Sequence, residues 1–146
     1  MVVMLPTKPT PRTRATTEHD EQKRLIHIIR NELAPKYPIL NWLYSVPNGL
    51  SFAKVDKKIR GQITTQMINE GAKAGIPDLF LPVRSAKYSG LYIEMKSAKG
   101  VLSEQQKKFK IFAESQRFKW VMPRSCDEAL AEILDYCEIN RSALLN

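Results

Sequence analysis

Two short apolar runs, Asp78–Val83 and Leu91–Met95, constrain the fold of this chain most. Both are strand-length, and the polar stretch 84–90 between them is enough to go out and return, so the pair reads as a hairpin. Successive side chains on a strand point to opposite faces. Tyr92, Glu94 and Lys96 therefore share one face, while Leu91, Ile93 and Met95 share the other and place Met95 in the core. Asp78 opens the neighbouring strand directly after Pro77, where a hairpin lets it approach Glu94. Two carboxylates converging at a strand end repel unless a positive charge sits between them. With hard oxygen ligands the usual solution is a magnesium ion, which keeps several waters and takes substrate phosphate as a further ligand. Lys96 stands beside that place, and the chemistry implied is hydrolysis of a phosphodiester.

The rest of the chain reads as alternating helices and strands. Residues 1–17 hold three prolines, five threonines, Lys8, Arg12 and Arg14 and no acid, which predicts a disordered basic arm ahead of a folded domain over 18–146. From Glu18 to Leu33, apolar residues recur at three- and four-residue steps and predict a helix that Pro35 stops. Residues 39–46 read as a strand, closed by the turn Pro47-Asn48-Gly49. From about Val55 to Gly71 the chain is polar with Ile59, Ile63, Met67 and Ile68 spaced helically, a helix weakened by Gly61 and a threonine pair. Ser103-Glu104-Gln105-Gln106 has the form of a capping box and opens a helix with Phe109, Phe112 and Ala113 on its apolar face. Residues 118–122 make a further strand that Pro123 breaks, and Ser125 caps a last helix reaching about Cys137. The order α-β-α-β-β-α-β-α predicts an α/β fold with a mixed sheet flanked by helices.

Composition narrows the partners. A chain of 146 residues fits one domain, or one with a tail, and 43% hydrophobic residues are enough for a core. Lys and Arg number 23 against 15 Asp and Glu, a net charge of +8 that favours a polyanion. A membrane is the weaker choice, because no apolar run approaches the ~18 residues a spanning helix needs. The opening MVVML is too short for a signal-peptide core and runs into Pro6. Cys126 and Cys137 on one helix lie about 16 Å apart, beyond the ~7 Å a disulfide tolerates, so a reducing cytoplasm is expected.

Pro-Asp alone is common in turns, and Glu-x-Lys alone is common on solvated strand faces. Here they stand sixteen residues apart in two strands, with Gly75-Ile76 before and Ser103 to Gln106 after. In this arrangement the sequence resembles the VRR-NUC family of the PD-(D/E)XK nuclease superfamily. The resemblance runs from about Glu18 to the final helix and includes Glu18-x-x-x-Gln22, Pro47-Asn48-Gly49, Gly75-Ile76-Pro77-Asp78 and Glu94-Met95-Lys96. It implies a restriction-endonuclease-like core and a nuclease using Mg2+, with Mn2+ able to substitute. Asp78 and Glu94 would be the metal-binding carboxylates, with the Met95 backbone carbonyl a further ligand. Lys96 would be the catalytic lysine and Glu18 the acidic residue that the first helix brings to the metal. Gln106 and Gln22 are accessory candidates.

Bland accounts stand beside several of these residues. Glu18, Gln22, Leu25 and Ile29 fall on one helical stripe, placing a carboxylate at the rim of the core; a negative charge there also complements the helix dipole. Glu21 leads onto the same apolar face and is the other candidate. The capping box explains Gln106 equally well, a turn explains Asn48 and Gly49, and packing explains Tyr92. His19 and His27 show no metal-ligand spacing with the cysteines, which themselves read as small core residues. Basic residues cluster at Lys54, Lys57, Lys58 and Arg60 and at Lys107, Lys108 and Lys110, where they can track phosphates. No aromatic-basic interleaving marks a base-stacking platform, so backbone or shape recognition is expected.

The first expectation is a structure-selective endonuclease acting on branched DNA, a homodimer similar to Holliday-junction resolvases of the stand-alone phage or bacterial type. A monomeric flap or nicking nuclease is the nearest alternative. A nucleic-acid-binding module that no longer cuts is a second class, and the joint presence of Asp78, Glu94 and Lys96 argues against it. A protein-interaction domain with incidental positive charge is the third.

Overall fold

In the computed structural model, residues 16–47 and 56–139 are described. Most of the expected basic arm, the Asn48-Gly49 turn, Lys54 and the last seven residues lie outside them.

The first helix, α1 (Glu18–Ile28), starts at Thr17, whose hydroxyl accepts from the Asp20 N–H while the Asp20 carboxylate accepts from the Thr17 N–H. This reciprocal cap satisfies two of the donors a helix start leaves open. The helix runs on to Leu33 as expected, but its last five residues, Ile29–Leu33, are wound as a π-helix. Pro38–Trp42 then form a 3₁₀ turn, and only Tyr44–Ser45 (β1) are extended. The strand expected over 39–46 is thus mostly helical. Proline at the first position of a helix fits its fixed φ and missing donor. Leu40 and Leu43 are buried while Ile39 and Trp42 are exposed, the three-residue period of a 3₁₀ turn rather than alternation.

Next come α2 (Lys57–Asn69), β2 (Leu79–Leu81), β3 (Leu91–Ile93), α3 (Glu104–Ser115), β4 (Lys119–Val121) and α4 (Cys126–Tyr136). No residue of α2 is buried. The sheet order is β1-β2-β3-β4, antiparallel in its first two pairs and parallel between β3 and β4, with α3 as the crossover that a parallel pair requires. The fold is therefore the α/β mixed sheet expected, and β2 and β3 are the expected hairpin, paired Leu79 to Ile93 and Leu81 to Leu91.

One sheet face presents Leu79, Leu81, Leu91, Ile93 and Val121 to a core completed by Leu25, Ile28 and Ile29 of α1 and by Ala129, Leu130, Ile133 and Leu134 of α4. The other face is aromatic and carries α3. Among the described residues no helix is long and apolar enough to cross a membrane.

Candidate active site

Asp78 and Glu94 sit just past the ends of β2 and β3, where the ladder hydrogen bonds continue although the strands have ended. The Val46 N–H donates to the Asp78 carbonyl at 2.8 Å, the Glu94 N–H to the Val121 carbonyl at 2.9 Å, and the Lys96 N–H to the Pro123 carbonyl at 3.1 Å. These bonds keep the alternation in force, so both carboxylates leave the sheet on its aromatic side. Met95, between Glu94 and Lys96, is 1% exposed and points into the core, as expected. Its N–H donates to Asp78 Oδ2 at 2.9 Å, which ties the end of β3 to the start of β2.

Glu94 is 4% exposed, a carboxylate among buried neighbours. Lys96 Nζ lies 3.4 Å from its Oε1, and Gln106 Nε2 donates to the same oxygen at 2.8 Å. Burial first, and the charge of Asp78 second, push the Glu94 carboxyl up to about 7, while Lys96 pulls the other way. Burial likewise raises Asp78 above the usual carboxylate range, opposed by the Met95 N–H. Two neighbouring acids that both resist ionisation gain from a nearby cation.

Gln106 fills both of the roles read for it. While its amide nitrogen reaches Glu94, its Oε1 accepts from the Ser103 N–H at 2.8 Å and the Ser103 hydroxyl accepts from the Gln106 N–H at 3.2 Å. The capping box of α3 therefore also aims an amide at the buried carboxylate.

Of the two first-helix acids, Glu18 reaches the cleft and Glu21 does not. Glu18 Oε1 accepts from the Ser97 N–H at 2.8 Å. Glu21 is buried against α4 instead, accepting from the Cys126 N–H at 2.7 Å and the Thr16 hydroxyl at 2.6 Å, so it joins α1 to the start of α4. Gln22 is half-buried and is not among the residues lining the cleft. Tyr92, on the Glu94 face, packs among Phe80, Phe109 and Phe118.

Three further contributors were given no role of their own from the sequence, Gly75 being noted only as part of the Gly75-Ile76-Pro77-Asp78 motif. Arg124 donates from Nη1 to the carbonyls of Ser97, Ala98 and Gly100 at 2.6, 3.2 and 3.0 Å, pinning the loop whose Ser97 N–H holds Glu18. Gly75 has φ +89°, and a Cβ there would lie 2.6 Å from the Gln105 backbone, so the chain crosses the start of α3 at a distance only glycine allows. His19, given no role from spacing, lines the cleft beside Glu18.

The cleft has a volume of about 580 Å3 and is bounded by the α1 start, α2, residues 72–76 and the α3 start, with Asp78, Glu94, Lys96 and Gln106 in its wall. Among the described residues no three His, Cys, Asp or Glu side chains cluster closely enough to cage a metal ion. The Asp78 and Glu94 carboxylates are hard oxygen donors, and so sparse a set fits Mg2+, which retains waters instead of taking a full protein cage.

The sequence profile of the VRR-NUC domain family matches residues 17–125. A solved structure of a VRR_NUC domain protein is similar in fold, with a TM-score of 0.68 at 19% identity over 87% of this chain and 93% of that one. No curated protein matches the chain significantly in sequence.

Proposed function

The chain belongs to the VRR-NUC family, and on that premise we propose that it is a metal-dependent, structure-selective DNA endonuclease of the Holliday-junction-resolvase type. The observation that carries this reading is the meeting of Asp78, Glu94 and Lys96 in one cleft, with Lys96 Nζ 3.4 Å from the buried Glu94 carboxylate.

Asp78, Glu94 and the Met95 backbone carbonyl would hold Mg2+, or Mn2+ in its place, with Glu18 at the rim. When bound, the ion supplies charge stabilisation at the attacked phosphate and acidifies the attacking water. The chain's own groups set the geometry. The Met95 N–H fixes Asp78, and Gln106 fixes the Glu94 oxygen that faces Lys96. Lys96, its side chain 13% exposed and held beside Glu94, would orient a water or assist its deprotonation.

The net charge of +8 supports DNA as substrate. One site per chain makes one cut, and two symmetric cuts need two copies related by a twofold axis, so a homodimer belongs to this reading. Cys126, buried, and Cys137, half-buried, are reduced cysteines that suit the cytoplasm of a bacterial cell or a phage-infected host.

The test is cleavage of a panel of four-way junction, flap, splayed-arm, nicked and continuous duplex DNA with Mg2+ or Mn2+, by protein of measured oligomeric state. Paired cuts on junctions by a dimer support the resolvase type, and single cuts by a monomer replace it with a flap or nicking enzyme. Equal activity in wild type, Asp78→Ala and Lys96→Ala would defeat the site.

A further inference from the structure

The sheet face that carries the two carboxylates also carries a row of aromatic rings. The strand register sets Tyr44, Phe80, Tyr92 and Trp120 side by side across all four strands. Asp78 lies two residues before Phe80 and Glu94 two residues after Tyr92, so rings and carboxylates share one side of the sheet. Phe80 stacks on Tyr92 with centroids 4.3 Å apart, and Tyr92 meets Phe109 of α3 edge-on at 5.0 Å. In β1, the edge strand among the described residues, Tyr44 stands against Phe80 at 5.8 Å and 85°. Tyr44 remains 50% exposed, although the rings beneath it are half-buried.

This position is close to the chemistry. With strands ~4.8 Å apart and ~3.3 Å of rise per residue, the Tyr44 Cα lies roughly 8 Å from that of Asp78. That is about the reach of one nucleotide from a phosphate held at the carboxylates. β1 also leads directly to Pro47, which lines the cleft. Charge points to the occupant. The chain as a whole is +8, which draws a polyanion, whereas a second copy brings like charge; on α3, Lys107 and Lys110 are paired with Glu104 and Glu114, so the attraction is that of the whole chain and not of this helix alone.

We propose that Tyr44 is a stacking platform for an unpaired base next to the scissile phosphate, and that the preferred DNA carries single-stranded or splayed nucleotides at the cut. The proposal rests on the reading of the cleft as a phosphodiester site. In continuous duplex both faces of a base are covered by its neighbours, whereas an unpaired base has a face to offer, and an aromatic ring accepts any base in this way. Phe80 braces the Tyr44 ring edge-on and is itself stacked on Tyr92, so little side-chain freedom is lost on stacking. Tyr44 would thereby separate branched from continuous DNA without reading sequence.

The test uses the full chain in chelator, so that nothing is cut, with 2-aminopurine at the unpaired nucleotide next to the branch of a splayed-arm DNA. Wild type and Tyr44→Phe are expected to quench the probe. Tyr44→Ala is expected to lose the quench and about tenfold in affinity for splayed DNA, while binding continuous duplex within about twofold. Tyr44→Leu, which keeps apolar bulk at the strand edge, is expected to match wild type in melting temperature and Tyr44→Ala in binding. Equal losses on both DNAs, or none on either, would overturn the proposal. So would a dimer that Tyr44→Ala turns into monomer, which would mark Tyr44 as a contact between copies. Splayed-arm binding that depends on Tyr44 in a protein that cuts nothing would remove the nuclease reading and leave the platform standing.

Discussion

Glu94→Gln is expected to stabilise the metal-free protein at pH 8 while abolishing cleavage. The Glu94 carboxyl sits at about 7 in the fold against 4.5 for an ordinary glutamate. At about 1.4 kcal/mol per tenfold, ionising it in place costs about 3 kcal/mol. Between those two values the folded protein binds more protons than the unfolded chain, so stability falls as pH rises from about 4.5 to about 7 and stays at the lower level above. Glutamine is neutral throughout, and its Oε1 can go on accepting from Gln106 Nε2, now 2.8 Å from Glu94. The variant therefore escapes the fall. It should gain about 3 kcal/mol at pH 8, about 10 °C in Tm for a domain of this size, and close to nothing at pH 4. Urea unfolding in chelator at the two pH values measures the difference directly. Saturating Mg2+ should then raise wild type and leave the variant unchanged. A variant less stable than wild type at pH 8, or an equal gain at both pH values, would refute the argument that burial and Asp78 make this carboxylate costly.

Lys96→Ala should lower single-turnover cleavage by about a hundredfold or more while leaving affinity for branched DNA within about threefold, because only one basic side chain among many is lost. Glu21→Ala should cost about 2–3 kcal/mol in urea unfolding, since the buried Cys126 N–H loses an acceptor, with cutting per folded molecule retained. Glu18→Ala should show the opposite pattern, near-native stability with reduced cleavage. Gly75→Ala should destabilise by about 1–3 kcal/mol, through positive φ and a Cβ 2.6 Å from the Gln105 backbone, measured by the same unfolding curves.

The hairpin was legible because it is local: alternation along Leu91–Met95 and a polar return put Asp78 and Glu94 at one end of the sheet without any knowledge of the other elements. The capping box at Ser103 was legible for the same reason, but not that its glutamine also reaches Glu94, since that contact depends on how α3 lands on the sheet. Residues 39–46 misled because apolar content alone does not separate a strand from a 3₁₀ turn; Pro38 was the signal, favouring helical φ at its start. The choice between Glu18 and Glu21 needed α4, whose Cys126 N–H binds Glu21 across 105 residues of sequence. The aromatic face had no linear signature at all. Tyr44, Phe80, Tyr92, Phe109 and Phe118 come from separate segments and meet only through strand register.

The central claim is that Asp78 and Glu94 grip one divalent cation. Calorimetric titration of Mn2+ at pH 8, without DNA, into wild type, Asp78→Asn and Glu94→Gln tests it. One site in wild type, weakened at least about tenfold in each variant, is the predicted result. Binding of equal strength in all three proteins would contradict it.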